Sequence, residues 1–342
     1  MAHRIVTFGE LMLRLSPPGR ERFFQSDRLL ARFGGGEANV AVSLAHLGDE
    51  AAYLTVLPDN PVADAGLAEL RRHGVSTAGV IRRGRRMGIY FAETGAGPRP
   101  SQVLYDRDGS AISEAGPGDI DWTRAFTGAD WFHVTGITPA LSRSAADLTR
   151  EGMAAAREAG LTVSLDLNFR AKLWRYGAAA TEIMPGLAAL ADLLLANEED
   201  CQKTLGIGIA PGPDGSLDTA SYESLTAAVL AAFPNLSRVA VTLRTSRSAD
   251  RNGWSAVLRS RKGFVKGPSY EIEGIVDRVG AGDAFAAGLI HSLPAFDDEA
   301  GALAFAIAAS CFKHTIPGDF NLVSEKEILA LAAGDTTGRI RR

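Results

Sequence analysis

The sequence predicts an α/β fold, a mainly parallel β-sheet flanked by helices on both faces, with a small separate β excursion. Three observations carry this expectation. From Trp131 to Leu243 short apolar runs alternate with helical patterns, the rhythm of repeated βα units whose strands lie parallel and covered. Early helical stretches are closed by Gly48 and Gly74, as helix C-termini commonly are. Between Arg82 and Gly116 the chain is instead rich in turn residues and poor in helix formers.

Taken in order, residues 5–8 read as a first strand, followed by an alternating run. Leu11, Leu13 and Leu15 share one face of that run and Met12, Arg14 and Ser16 the other, so one face is expected buried and one wet. A glycine-rich stretch, Gly34-Gly35-Gly36-Glu37-Ala38-Asn39, opens a helix through Val40, Leu44 and Leu47. A strand at 53–57 and a helix at 61–73, begun by Pro61, come next. Strands at 87–91 and 102–105 flank the Gly/Pro-rich stretch 95–100. Strands are then expected at 131–135, 162–167, 193–196 and 239–243, with helices at 145–159, 179–190 and 220–232 between them. Residues 207–217 read as an exposed loop, 254–258 and 270–275 as late strands. Helices begin near Gly282 and Asp298, and the polar tail 334–342 is expected to fray. The whole chain, 1–342, reads as a single domain whose β excursion is drawn from about 11–33 and 84–116.

Composition narrows the function. The 342 residues include 36 Lys+Arg against 40 Asp+Glu, a formal charge of −4, with 46% hydrophobic and 22% charged residues. Such a chain can bury a core and has no global electrostatic reason to seek nucleic acid or an anionic membrane. No apolar run in the sequence approaches the ~20 residues that span a bilayer. Arg4, Glu10 and Arg14 interrupt any signal-like core at the start. Cys201 and Cys311 lie far apart in apolar surroundings and read as buried free thiols of a reducing compartment. The six histidines lack metal-ligand spacing. A cytoplasmic location is expected.

The sharpest chemical signal is Val276-Asp277-Arg278-Val279-Gly280-Ala281-Gly282-Asp283. A polar turn after a strand leads into a helix whose first residues are small, so free backbone N–H groups and the helix dipole can receive an anion. Asp283 would stand beside that anion and accept a proton from a substrate hydroxyl. On these residues alone, an acid placed for dipole complementarity explains the pattern equally well. The run matches neither the P-loop nor the dinucleotide fingerprint, which disfavours a nucleotide-dependent oxidoreductase.

Gly280-Ala281-Gly282-Asp283, the early glycine-rich stretch and the βα order resemble the PfkB (ribokinase-like) family of sugar kinases, from Ile5 to about Leu331. The resemblance implies a ribokinase-like fold, Asp283 as catalytic base, and Gly280, Ala281 and Gly282 as the anion hole for the transferred phosphoryl group. It also implies that the β excursion is a lid over the sugar, and that Gly35, Gly36 and Asn39 meet the sugar's hydroxyls. Pro98 to Arg107, Gly136 to Leu141 and Asp166 to Arg170 are similar to the 2-keto-3-deoxygluconate kinase branch. That likeness adds Tyr90, Tyr105, Arg107, Ile137, Arg170 and Asp319 around a sugar acid, whose carboxylate suits arginine. Taken singly, Arg107 and Arg170 read equally as surface arginines or as partners of Asp106 or Asp166.

Asn197-Glu198-Glu199-Asp200 looks like the family's Asn-x-x-Glu motif, implying that Asp200 acts on Mg²⁺ indirectly, through water. An acidic helix start explains the same residues. ATP is the implied donor, with Asn168, Asn197, Thr242, Arg244, Gly280 and Gly282 near it. Here the polar run Arg244 to Trp254 departs from the family's Gly-containing turn, and Arg278 stands where the family commonly has Thr. Two alternatives remain open on the sequence: a kinase for a neutral sugar such as fructose or ribose, and a non-catalytic sugar-binding regulator. Self-association through the exposed edges of the lid strands is also expected.

Overall fold

Strands form where apolar and β-branched residues run together between turns, in the computed structural model that describes residues 3–209 and 218–335. The first third holds β1 (Arg4–Phe8), β2 (Met12–Ser16), β3 (Leu30–Gly34), α1 (Gly36–Leu47), β4 (Glu50–Leu54), β5 (Val56–Leu57) and α2 (Pro61–Arg72). Then come β6 (Ile81–Arg82), β7 (Gly88–Glu93), β8 (Gln102–Asp106) and the short α3 (Trp122–Ala125). The βα rhythm continues through β9 (Trp131–Thr135), α4 (Arg143–Glu158), β10 (Thr162–Asp166), α5 (Ala180–Ala188), β11 (Leu193–Ala196) and α6 (Glu198–Asp200). The chain ends with α7 (Thr219–Ala232), β12 (Arg238–Ser246), β13 (Arg251–Ser260), β14 (Gly263–Lys266), β15 (Tyr270–Glu273), α8 (Ala281–Ala295), α9 (Glu299–Lys313) and α10 (Glu325–Ala332).

The main sheet runs β4-β1-β9-β10-β11-β12-β13-β14, with β15 also on β13. Strands β4 to β12 are parallel, and β13 to β15 extend the sheet antiparallel. Successive side chains enter opposite cores. Leu194 and Ala196 pack with Leu148, Met184 and Leu225 of α4, α5 and α7. Leu193 and Leu195 join Val40, Leu44, Phe285 and Leu303 of α1, α8 and α9 on the other face. This double covering explains why β9 and β11 are buried along their whole length.

A second, four-stranded sheet, β3-β2-β7-β8, is built from within the two segments expected to form the excursion. Its β2 alternates as expected, one face buried and one partly wet. Met12, Arg14 and Ser16 are the buried set, while Leu13 and Leu15 are half-exposed. Arg14 points inward because Asp277 and Asp319 receive its guanidinium, each at 2.7 Å.

One expectation is revised. The strand at 53–57 breaks at Thr55, since Val56–Leu57 leaves the main sheet to pair with β6. The polar run 244–254 forms the end of the β12–β13 hairpin, with Arg244 opposite Trp254. Its tip is tied to the small sheet: Ala249 N–H donates to the Gly97 carbonyl at 2.9 Å, and Asp250 Oδ2 accepts from Gly97 N–H at 2.7 Å. These bonds, one to a carbonyl and one to a side-chain carboxylate, satisfy backbone N–H groups where the hairpin tip meets the small sheet.

Residues 210–217 of the expected loop and 336–342 of the expected tail lie outside the described residues. Cys201 and Cys311 are free and buried, and burial pushes both thiols up to about 12. Among the described residues no helix is long and apolar enough to cross a membrane.

Candidate active site

The site lies at the carboxyl ends of the parallel strands, where open α/β sheets bind their ligands. After β15 the chain turns through 274–280 into α8. Gly280 ends that turn at φ 86°, and a Cβ there would overlap the Asp319 carbonyl. Both facts demand glycine. At Gly282 a Cβ would meet nothing within 4 Å, so open space faces the first turn of the helix. The Gly282 and Asp283 amides have no intrahelical acceptor, whereas the Ala281 N–H, expected in the anion hole, donates to the Arg278 carbonyl at 3.3 Å. Asp283 closes the group as a buried first-turn acid. Burial pushes its carboxyl up to about 6, with Asp319 adding to the rise and the Asn39 hydrogen bond, Arg170 and Lys313 opposing it.

The glycine-rich stretch meets this helix from the other side. A Cβ on Gly34 would overlap the Asp319 carboxylate and one on Gly35 the Glu10 carbonyl, so both positions need glycine for close approach. Gly36 opens α1, with its Cβ position 3.7 Å from Asp283 Oδ1. Asn39 uses both ends of its amide: Nδ2 donates to Asp283 Oδ2 at 2.7 Å, and Oδ1 accepts from Gly35 N–H at 3.2 Å. Glu37 faces away from the opening. Its Oε1 accepts from Thr135 N–H and Oγ1 at 2.9 and 2.7 Å, and burial raises its carboxyl to about 7.

The small sheet supplies the roof. Tyr90 and Tyr105 are cross-strand partners with ring centroids 5.9 Å apart, and the Arg107 guanidinium lies 5.2 Å from the Tyr105 centroid. Neither acid weighed as an alternative partner for Arg107 pairs with it. Asp106 pairs with Arg86, and Arg107 forms a buried ion pair with Glu10. Arg107 Nε remains buried without a partner. The Tyr90 hydroxyl donates to Asp319 Oδ2, and Asp319 Oδ1 holds Arg14 at 2.7 Å. Asp319 is thereby occupied within the roof's support, and Ile137 sits half-buried with its N–H on Thr135 Oγ1 at 3.1 Å.

Beyond β10 and β11 stand the remaining expected residues. Asn168 takes a left-handed φ of 38°, and its Oδ1 is buried without a partner. The Arg170 guanidinium donates to its neighbour's carbonyl, at Phe169, and its charge lowers the pKa of Asp166, Asp200 and Asp283 alike. Asn197 and Asp200 form a reciprocal capping box. Asp200 Oδ2 accepts from Asn197 N–H at 3.1 Å and Oδ1 from Phe169 N–H at 3.0 Å, while burial raises its carboxyl to about 6. Thr242 donates weakly to the Ala196 carbonyl at 3.4 Å, and Arg244 is exposed on β12.

No group of three or more His, Cys, Asp or Glu among the described residues is arranged to hold a metal ion. The donor set fits a hydrated cation arriving with a phosphate ligand better than a resident metal. Half-buried Asp166, its carboxyl raised by desolvation and by Asp200 and Asp283, accepts from Asn168 N–H at 3.1 Å, and the Asn168 Oδ1 is buried without a partner.

Sequence reasoning overlooked Glu10, Arg14, Asp277 and Lys313 around the site. Arg14 carries a legible signal, a lone cation between Leu13 and Leu15 in an alternating strand. Asp277 sits in the same motif as Asp283, and its Oδ2 also accepts from Gly318 N–H at 3.0 Å.

Comparison with known proteins gives this geometry its class. The pfkB family of carbohydrate kinases matches residues 2–325. The 2-dehydro-3-deoxygalactonokinase of Haloferax volcanii is 35% identical, over 99% of both chains. The 2-dehydro-3-deoxygluconokinase of Bacillus subtilis is 30% identical over 95% of this chain and 94% of its own. Among solved structures, the 2-dehydro-3-deoxygluconokinase of Thermotoga maritima is 46% identical, covers 97% of this chain and 100% of its own, and superposes with a TM-score of 0.91. The fold is the expected ribokinase-like one, and the chain belongs to the pfkB family of carbohydrate kinases.

Proposed function

We propose that the protein transfers the γ-phosphoryl group of ATP to the terminal hydroxyl of a 2-keto-3-deoxy sugar acid. 2-Keto-3-deoxygluconate is the expected substrate and its 6-phosphate the product. The observation that carries this reading is the buried Asp283 at an open helix start, with Asn39 orienting its carboxylate and the Arg170 cation in its field. The relatives named above act on sugar acids of this type, and this supports the same substrate class here.

In this mechanism Asn39 Nδ2 holds one carboxylate oxygen of Asp283, leaving the other for the sugar's terminal O–H. Asp283 takes that proton as the oxygen bonds to the γ-phosphorus and the bond to the β,γ-bridging oxygen breaks, so that ADP leaves. The Gly280–Gly282 amides stabilise the charge that develops on the equatorial oxygens. Mg²⁺ carried by ATP would neutralise phosphate charge, with Asp166, Asn168 and Asp200 facing its water shell. Arg170 and Arg107 bind the sugar carboxylate, Arg107 being held in place by Glu10. Arg244 and Thr242 border the nucleotide.

The four-stranded sheet serves as a lid that excludes water from the competing hydrolysis, and with the main sheet it forms one functional unit. Its outer face carries Leu13, Leu15, Phe91 and Leu104, half-exposed or exposed. Such an apolar sheet face suits a second copy of the chain. A Leu104→Asp protein is expected to elute as a smaller species than the wild type in size-exclusion chromatography with light scattering; equal masses would refute lid-mediated pairing. An ATP-dependent enzyme of this kind fits the cytoplasmic location expected from the sequence.

A coupled ADP-release assay across sugar acids and neutral sugars tests the function. Turnover is expected with 2-keto-3-deoxy sugar acids. Arg107→Ala should raise the KM for the acid by about 10- to 100-fold, the worth of a charged hydrogen-bonded pair, and leave any slow turnover of neutral sugars unchanged. Preference for fructose or ribose, insensitive to Arg107, would sink the sugar-acid reading.

A further inference from the structure

Lys313, in the last turn of α9, is fully buried, a costly place for an ammonium. Its Nζ donates to the Ile316 carbonyl at 3.0 Å. Among the described residues no carboxylate lies within 4 Å of it, so hydrogen bonding alone does not account for its burial. Its stem passes directly beneath the anion turn, with Cε 3.2 Å from the position a Cβ on Gly280 would take. The charged groups whose fields reach it are Asp277, Asp319, Asp283 and Arg14, and His314 is its chain neighbour.

Charge counting gives Lys313 a role. Asp277 and Asp319 are two buried carboxylates sharing a single direct cation, Arg14. One negative charge is left over beneath the turn whose amides must accept a phosphoryl group. Lys313 is the buried cation that cancels it. An uncompensated anion there would oppose the developing charge of the transition state in a low-dielectric setting.

We propose that Lys313 is a positioning residue for phosphoryl transfer: a fixed internal cation that balances the Asp277–Asp319 pair and lets the Gly280 turn present a positive field to the transferred group. The proposal rests on the reading of Asp283 as base and of Gly280–Gly282 as anion hole. Burial lowers the Lys313 ammonium to about 8, against the pull of Asp277 and Asp319, so it is charged at neutral pH and discharges just above. Its charge also favours ionised Asp283.

Lys313→Met tests this with kcat, KM and pH profiles measured together. The expected result is a fall in kcat of about 10- to 100-fold with both KM values changed less than about threefold. Wild-type kcat should decline as pH rises through about 8, and Lys313→Met should lack that limb. Its acid limb should move to higher pH, because Asp283 loses a stabilising cation. Lys313→Ala should regain activity with methylammonium, which the vacated space can admit, and not with tetramethylammonium. A folded Lys313→Met protein with kcat within about twofold of wild type would overturn the proposal, as would a wild-type kcat flat through pH 8. If Lys313→Met does not fold, the wild-type profile and the methylammonium experiment decide. Asp283→Asn is assayed alongside. Full turnover there removes the underlying reading, whereas an inactive Asp283→Asn beside an unaffected Lys313→Met removes only the role of Lys313.

Discussion

Asp283 and Asp200 look alike in several respects. Each lies in the first turn of a helix, each is buried, and burial raises each carboxyl to about 6. Their lone pairs separate them. Asp200 spends both oxygens on backbone N–H groups, of Asn197 and Phe169, and so closes its own turn. Asp283 has a side-chain donor, Asn39, on one oxygen and open space beside Gly282. A perturbed pKa marks both sites; an oxygen not spent on a backbone N–H sets Asp283 apart.

The largest effect that can break this contrast is Asp283→Asn. Loss of a general base costs about 10²- to 10⁴-fold in turnover, and calorimetry should find ATP and sugar still bound. Near-normal turnover would erase the distinction between the two acids. The pH profile sharpens it. A base must be ionised, so kcat is expected to fall as pH drops through about 6, by roughly tenfold per unit below that value. Asp200→Asn should keep the same acid limb, and a shift of that limb would mean the two carboxylates titrate together. The smallest effect is on stability. Asp200→Asn leaves a buried backbone N–H facing an amide donor, at a cost of about 1–3 kcal/mol. A lowered Tm is therefore expected with kcat changed by less than about tenfold; an unchanged Tm with abolished turnover would make Asp200 the catalytic base instead.

Much of the fold was legible because its signals are local. Leu193–Ala196 and Trp131–Thr135 were recognised at their observed ends, since uninterrupted apolar runs of that length are covered strands. Gly48 at φ 96° and Pro61 at the start of α2 behave as their chemistry requires. β14 and α10 went unrecognised. The first is four residues long, and the second is a helix of eight residues opened by a capping box, Ser324 with Glu327. Thr55 ends β4 for no reason visible in its neighbours; the departure is set by pairing with β6. Within the site, Asp283 and Asn39 were both identified, but their direct contact spans 244 residues of sequence.

Wherever a residue's place depends on its own backbone, the amino-acid sequence was enough: glycines where φ is positive or another segment passes close, small residues at an open helix start, an acid beside them. The tertiary structure decided which charge meets which. Arg14 appears in the sequence as one polar residue of a strand and becomes the link between Asp277 and Asp319. Arg107 exchanges its sequence neighbours for Glu10, and Lys313 lies under a turn formed 33 residues earlier, at Gly280. Backbone preference acts over a few bonds, whereas the energy of a buried charge depends on every group that folding brings near it.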